Sequence, residues 1–327
     1  MKLIKNYTPG IAITIVLAII AKLIGDIIPV GGGVFALLIG MAVNPLLAKF
    51  DFFKTGIKFV SKQILRLAII LLGFSLSFPQ IFQVGKYSLI VMCFTLLAAF
   101  GGGYLLGKLL KMNWKLTGLI SAGTGICGGS AIAAIAPVID AEDKEVAYAI
   151  SATFLFDILM VILFPLAGKL FGMTETGYGL WTGTAVNDTA SVVAAGYAFS
   201  DAAGAFSVIV KLTRTLAIIP TVIAFSFVNA RTGTRNKINF KKIFPYFILF
   251  FLATVLIKST GFIPDNVSSV ITQVSKFLMI MALGAIGLKT NFKEVALSGV
   301  KPMFHGFIIS SLVVVVSLAV QLLFGQL

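Results

Sequence analysis

Gly179-Leu-Trp-Thr-Gly-Thr-Ala-Val-Asn-Asp-Thr-Ala-Ser191 is the stretch on which the reading of the fold turns. It carries two glycines, four hydroxyl side chains, an amide and a carboxylate. The chain around it is of the opposite character. Of its 327 residues 58% are hydrophobic and only 12% charged, and the mean hydropathy is +1.04. Soluble globular chains run at about 45–50% apolar and about 25% charged. A water-soluble fold has no place to hide that excess. The long apolar runs approach the ~20 residues a helix needs to cross the hydrocarbon. They are continuous rather than alternating with period two, which argues against a β-barrel. The expected fold class is an all-α integral membrane protein. The quoted stretch then poses the question of whether so polar a segment crosses with the rest.

Working outward from it, eleven spans are expected: Ile11–Ile28, Gly33–Leu47, Phe59–Phe78, Ser88–Leu110, Leu116–Ile139, Val146–Leu170, Gly179–Phe199, Ala205–Val228, Ile243–Ile263, Val267–Leu288 and Met303–Phe324. Connections between them are short, so residues 1–327 read as one multi-pass membrane domain. Positive charge decides the doubtful seventh span, because cytoplasmic connections are enriched in Lys and Arg. With the N-terminus inside, the inner connections and the span ends beside them collect 18 of the 26 Lys and Arg, against three outside (Lys86, Lys144 and Lys258). The other five lie within spans. If Gly179–Phe199 did not cross, the groups at Arg231–Lys242 and Lys289–Lys301 would fall outside. It is therefore expected to cross, with the N-terminus inside and the C-terminus outside. The formal charge of +14 is then a topology signal, and no nucleic-acid partner is expected.

A weak internal repeat accompanies this plan. Ser61, Lys62, Ala68, Gly73 and Phe78 recur as Ser275, Lys276, Ala282, Gly287 and Phe292, at a constant offset of 214. The two copies would enter from opposite sides, as in the inverted repeats of many secondary transporters. Cys93 and Cys127 lie in different apolar segments without metal-ligand spacing, so neither a disulfide nor a metal site is expected. No small-residue cleavage site follows the first apolar run, which reads as an uncleaved span.

Two segments are poor helices. The fifth contains Gly123-Thr-Gly-Ile-Cys-Gly-Gly-Ser130. Four glycines in seven residues disfavour a continuous helix, and in lipid the freed backbone groups must be satisfied by protein, water or ligand. A break there would present N–H groups, the positive end of a half-helix, to an anion, with Ser130 placed as an N-cap. The alternative is close helix packing through small residues. The seventh segment puts Asn187, Asp188, Thr189 and Ser191, N-cap residue types, near its middle, and again implies a break. There the alternative is a polar helix buried in the bundle.

Buried charge points to the same segments. Asp157 and Asp188 lie at the centres of spans six and seven, and Lys211 and Arg214 share one face of span eight. Each costs roughly 2.5–3.5 kcal/mol at the bilayer centre if unpaired, so all four should face an interior or a wet cavity. Two readings stand: the acids and bases neutralise one another, or one base takes an anionic substrate while one acid takes a proton or sodium ion. Other polar positions carry less. Arg66 is placed to snorkel, Lys22 and Asp26 to pair locally, His305 to lie at an interface, and Lys276 has no assigned partner.

At Gly123–Ser130, Gly179–Gly196 and Lys211-Leu-Thr-Arg214 the chain resembles the YeiH-type family of bacterial inner-membrane proteins, often labelled sulfate exporters. Leu71-Leu-Gly73 and Ala285-Ile-Gly-Leu-Lys289 fit it too, and the resemblance runs through essentially the whole chain. It implies a multi-pass cell-membrane transporter, distantly similar to the bile acid and arsenite transporter group, with inverted repeats and crossed, broken helices holding the substrate at mid-membrane. Many members carry a His before the acidic residue of span seven. Asn187 stands there in this chain, which puts histidine-based proton coupling in doubt.

The expected function is secondary transport of a small anion, in the sense of a sulfate-type exporter. Thr124, Cys127, Gly128, Gly129, Ser130, Thr184, Asn187, Thr189, Lys211 and Arg214 are the candidate substrate contacts, and Asp157 and Asp188 the candidate ion-coupling groups. The expected partners are that anion, a coupling proton or sodium ion, the lipid bilayer and, optionally, further copies of the chain; no cofactor is expected. One rival is a sodium-coupled organic solute carrier with Asn187, Asp188 and Thr124 as oxygen ligands. Another is an intramembrane enzyme. It would need a nucleophile with a base, whereas the motif segments offer Cys127 and Ser130 without a histidine, so enzymatic activity is not expected.

Overall fold

The structure is a computed structural model that describes residues 2–27, 32–47, 49–230, 246–290 and 299–326. Among these residues there is no strand. In chain order the helices are α1 Lys2–Ile27, α2 Gly32–Leu47, α3 Asp51–Phe59, α4 Leu65–Leu72, α5 Phe78–Leu97, α6 Gly103–Leu109, α7 Trp114–Ala122 and α8 Gly129–Ile135. There follow α9 Asp143–Leu170, α10 Glu175–Ala185, α11 Thr189–Phe199, α12 Asp201–Thr215, α13 Ile218–Ala230, α14 Tyr246–Ser259, α15 Asp265–Lys289 and α16 Val300–Leu323. Three π-helical turns, at Val60–Ile64, Ala98–Gly102 and Gly123–Cys127, join α3 to α4, join α5 to α6 and follow α7.

Six helical stretches are long and apolar enough to cross a bilayer: Tyr7–Gly25, Ser88–Leu109, Asp143–Leu170, Asp201–Ala230, Asp265–Lys289 and Val300–Leu323. Gly32–Leu47 and Tyr246–Ser259 are apolar but shorter. The expected fifth and seventh spans are each interrupted. The third is split between the π turn at Val60–Ile64, α4 and a 3₁₀ turn at Gly73–Ser75. Large apolar side chains stand exposed along these helices, for instance Val16, Ile19, Ile20 and Leu23 on α1 and Leu89, Phe94 and Leu97 on α5. Such faces are unusual on a soluble monomer and suit a lipid surround.

The chain divides into two compact units. Unit 1 comprises Met1–Gln83, Val193–Ala205 and Tyr246–Phe292. Its centre is α15, which packs on α1, α2 and α4. Small residues set the approach: a Cβ on Gly287 would lie 3.0 Å from Gly40 Cα and 2.9 Å from Met41 N. Without a hydrophobic drive between helices in lipid, such close packing and interhelical hydrogen bonds hold the bundle. Asn44 Nδ2 donates to Leu288 O at 2.6 Å, and Ser275 Oγ to Ala68 O at 2.7 Å. The second bond brings the two copies of the sequence repeat together. Ser61-Lys62 lies in a π turn and Ser275-Lys276 in regular helix, while Phe292 is outside the described residues.

Unit 2 comprises Val84–Val192, Phe206–Pro245 and Lys293–Leu327. In it α16 packs on α9, α10 and α7. Asn113 caps α7 by accepting from Lys115 N at 3.0 Å, and its amide donates to Glu145 Oε1 in the first turn of α9 at 2.8 Å. Phe164 stacks on Trp181 with ring centroids 4.1 Å apart. His305, near the start of its span, is fully buried among its neighbours, with Nε2 3.0 Å from Gly103 O. The connection carrying Arg231–Lys242 and the side chain of Asp26 lie outside the described residues.

Candidate functional site

All of the residues singled out in spans five to eight fall in unit 2. In the fifth span, α7 runs into the Gly123–Cys127 π turn, closed by Gly128 N donating to Gly123 O at 2.8 Å. The chain then turns at Gly128, where φ is +61° and ψ −133°. That conformation favours glycine. A second constraint acts on the same residue, since a Cβ there would lie 3.2 Å from Asp188 Cβ and 3.3 Å from Asp188 Oδ1. The first break therefore abuts the second.

The second break is Val186–Asp188, between α10 and α11, with Val186 in an extended conformation. Asp188 caps α11 by accepting from Ala190 N at 2.8 Å, the role its residue type suggests. Ser130, expected as the cap of the other half-helix, has no such role. It is an exposed residue inside α8, and Gly128 occupies the cap position without a side-chain bond.

Broken helices leave carbonyls unpaired at the end of one half and N–H groups unpaired at the start of the next. The four buried charges meet these groups. Lys211 Nζ donates to Ile126 O at 2.7 Å and to Val186 O at 3.0 Å. Arg214 donates through Nε to Gly125 O at 2.6 Å, through Nη2 to Thr124 O, and through Nη1 to Val186 O at 3.4 Å. Asp157 accepts from Asn187 N at 2.8 Å and Asp188 N at 3.0 Å. The cations thus sit at carbonyl ends and an anion at an N–H end, each complementing a half-helix dipole.

This is not the mutual neutralisation by ion pairs that was one of the two arrangements anticipated. The ion pairs within 4 Å among the described residues are Lys54–Asp51, Lys258–Asp265 and Lys276–Asp201, so the four charges do not bridge one another. Nor are the bases open: Lys211 and Arg214 are 0% and 1% exposed and their donors are aimed at backbone. Asp157 is equally buried, whereas Asp188 and Thr189 are half-buried, Gly129 borders open space and Ser130 is exposed. Of the four charges, Asp188 alone has a partly exposed face.

Thr124, Gly128, Asp157, Asn187, Asp188, Lys211 and Arg214 thus belong to one connected cluster. Thr184 is tied elsewhere, to Leu180 O and Ser317 Oγ at 2.6 Å each. Cys127 is buried. Ser310 belongs to the cluster and was not anticipated. Its hydroxyl accepts from Asn187 Nδ2 at 3.1 Å and lies 3.4 Å from Thr124 Oγ1. The signal for it is a set of fully buried polar residues, His305, Ser310, Ser317 and Gln321, in the otherwise apolar α16. Asn187 Oδ1 is buried without a hydrogen-bond partner.

Residues 9–306 match a family profile described as conserved hypothetical protein 698. A relative from Clostridium tetani, named a UPF0324 membrane protein, is 64% identical over 100% of both chains. UPF0324 membrane proteins of Fusobacterium nucleatum and Streptococcus agalactiae are 40% and 41% identical, covering 98% and 99% of this chain and 99% of each relative. Among solved structures, a sodium proton antiporter of Methanocaldococcus jannaschii aligns over 100% of this chain and 98% of its own, at 14% identity and a TM-score of 0.32, too low to define a shared fold.

Proposed function

The chain belongs to the UPF0324 family, the conserved hypothetical protein 698 group of multi-pass bacterial membrane proteins, and from its site we propose that it is a secondary transporter of a small anion. The observation that carries this reading is the partly exposed residue Asp188 at the meeting of two helix breaks whose other charges are locked to backbone. With both acids and both bases ionised the cluster is neutral. When Asp188 takes a proton or a sodium ion, a net positive charge remains on Lys211 and Arg214 in a setting of low dielectric, where it attracts an anion strongly. Binding of the coupling ion and of the anionic cargo are then mutually favourable. The bases act through their field, and the polar edge of the breaks (Gly129, Ser130 and Thr189) supplies direct contacts.

A sulfate-type oxoanion suits this charge logic, and export is the direction implied by the resemblance to the YeiH-type family. We infer eleven crossings with the N-terminus inside and the C-terminus outside from the Lys and Arg distribution, and inverted copies at residues 61–78 and 275–292 from the repeat. Cysteine accessibility at engineered positions in alternate connections tests that topology. Flux of labelled sulfate and related anions into liposomes tests the function. Gradient-driven uptake is expected, and absence of flux for every small anion with folded protein refutes it.

One observation favours a second reading, a sodium-coupled carrier of organic solutes. The orphaned Asn187 Oδ1 beside Asp188 is an unmet acceptor, and a cation ligand set calls for acceptors. Sodium-dependent thermal stabilisation without any anion effect would favour it. An enzymatic role is not proposed, since Cys127 is buried and His305, outside the cluster, holds Gly103 O.

A further inference from the structure

Unit 1 contains a cavity of about 150 Å³ that plays no part in the transport reading. Its wall is apolar, with Met279, Ile280 and Leu283 of α15 and Val193 of α11 among the lining residues. The start of α2 closes against it, and a Cβ on Gly33 would lie 2.8 Å from Leu283 Cδ1. In this apolar setting stands an ion pair. Lys276 Nζ lies 2.7 Å from Asp201 Oδ2, with the two side chains 34% and 75% exposed. The Tyr197 ring borders the pair, with Lys276 Nζ 5.9 Å from its centroid.

Both members of the pair have capacity left. An ammonium has three donors and a carboxylate about four acceptor sites, and the pair engages one of each. A lone anion brought to Lys276 would be repelled by Asp201, and a lone amine brought to Asp201 would be repelled by Lys276. A ligand carrying both charges side by side meets neither penalty. We propose that this cavity binds a zwitterionic aliphatic amino acid. Its carboxylate lies on Lys276, its ammonium on Asp201, and its side chain against Met279 and Leu283. Size agrees, because cavities of about 150 Å³ accept a benzene-sized apolar guest. The four-carbon side chain of leucine fills such a space while the charged head stays at the exposed edge, where Asp201 stands. Binding pockets of this plan, apolar with a few polar groups that fix orientation, are the usual form for small ligands.

The test uses purified full-length protein in detergent, with thermal melting and equilibrium binding of labelled leucine. The probes are leucine, 4-methylpentanoate (the same skeleton without the ammonium) and 3-methylbutylamine (without the carboxylate). Saturable stabilisation by leucine is expected, with both single-charge analogues weaker by about tenfold or more, the scale of a lost charge-assisted hydrogen bond. Asp201→Asn and Lys276→Gln should each weaken leucine by a similar factor. Asp188→Asn, in unit 2, should leave leucine binding unchanged, which separates failure of this site from failure of the transport reading. Leucine binding no tighter than the analogues on the wild-type protein would overturn the proposal, whether or not the variants fold.

Discussion

Replacing Arg214 by Met separates a backbone-holding role from a substrate-holding one. Methionine keeps much of the side-chain length and removes every donor. Gly125 O and Thr124 O lose close charge-assisted partners, and Val186 O a longer one at 3.4 Å. Leaving a buried acceptor unsatisfied costs about 1–3 kcal/mol, so the two close carbonyls together cost about 2–6 kcal/mol. That is a large share of a typical stability of about 5–15 kcal/mol. A fall in melting temperature on the order of 10 °C is expected, read by scanning fluorimetry without added ligand. Arg214→Lys should fall between, since one ammonium does not reproduce the guanidinium fork. Arg66→Met is the control: Arg66 is exposed over the Phe247 ring at 5.8 Å, a contact worth about 0.5–1 kcal/mol. If Arg214→Met melts like Arg66→Met but loses stabilisation by anions, Arg214 faces substrate and the backbone reasoning is wrong.

Three further outcomes follow from the same geometry. Gly128→Ala combines a backbone of φ +61° and ψ −133°, sparsely populated by residues with a side chain and costing about 1–3 kcal/mol, with a contact 3.2 Å from Asp188 Cβ; it should lower the melting temperature and impair flux together. Asp157→Asn turns one of its two acceptors into a donor facing an N–H group of Asn187 or Asp188, so a destabilisation of about 1–3 kcal/mol is expected, measurable by denaturant or thermal unfolding. Asp51, paired with Lys54 at 2.6 Å, is held below the usual carboxylate range by that hydrogen bond and charge. Any stability from this depression is present above the ordinary carboxylate pKa and lost as pH falls through the lowered one. Because the pair is largely exposed to solvent, where an ion pair adds little, Asp51→Asn should leave the melting temperature at neutral pH unchanged.

Apolar run length and glycine clustering made the fold class and both interruptions legible. Gly123–Gly129 and Asn187-Asp188 mark the breaks, and Asp188 caps α11 as its residue type suggests. The partners of the charges were not legible. Counting two acids and two bases invites ion pairs, because sequence spacing shows side chains but not the carbonyls that a break sets free. Val186 O and Gly125 O are backbone atoms of unremarkable residues, yet they decide where Lys211 and Arg214 point. Ser130 illustrates the converse. Its type suits a cap, but the positive φ at Gly128 starts α8 two residues too early for it to serve. Ser310 was hidden because a serine hydroxyl in an apolar helix usually bonds its own backbone. Lys276 found its partner, Asp201, 75 residues away, beyond the reach of any helical spacing rule.

The central claim is that Asp188 couples ion and cargo, and gradient-driven anion flux in proteoliposomes tests it most directly. Wild-type protein should accumulate a small labelled anion under an imposed proton or sodium gradient. Asp188→Asn, folded and inserted to the same extent, should lose the response to either gradient. Flux that ignores both gradients in the wild type, or that remains gradient-driven in Asp188→Asn, would contradict it.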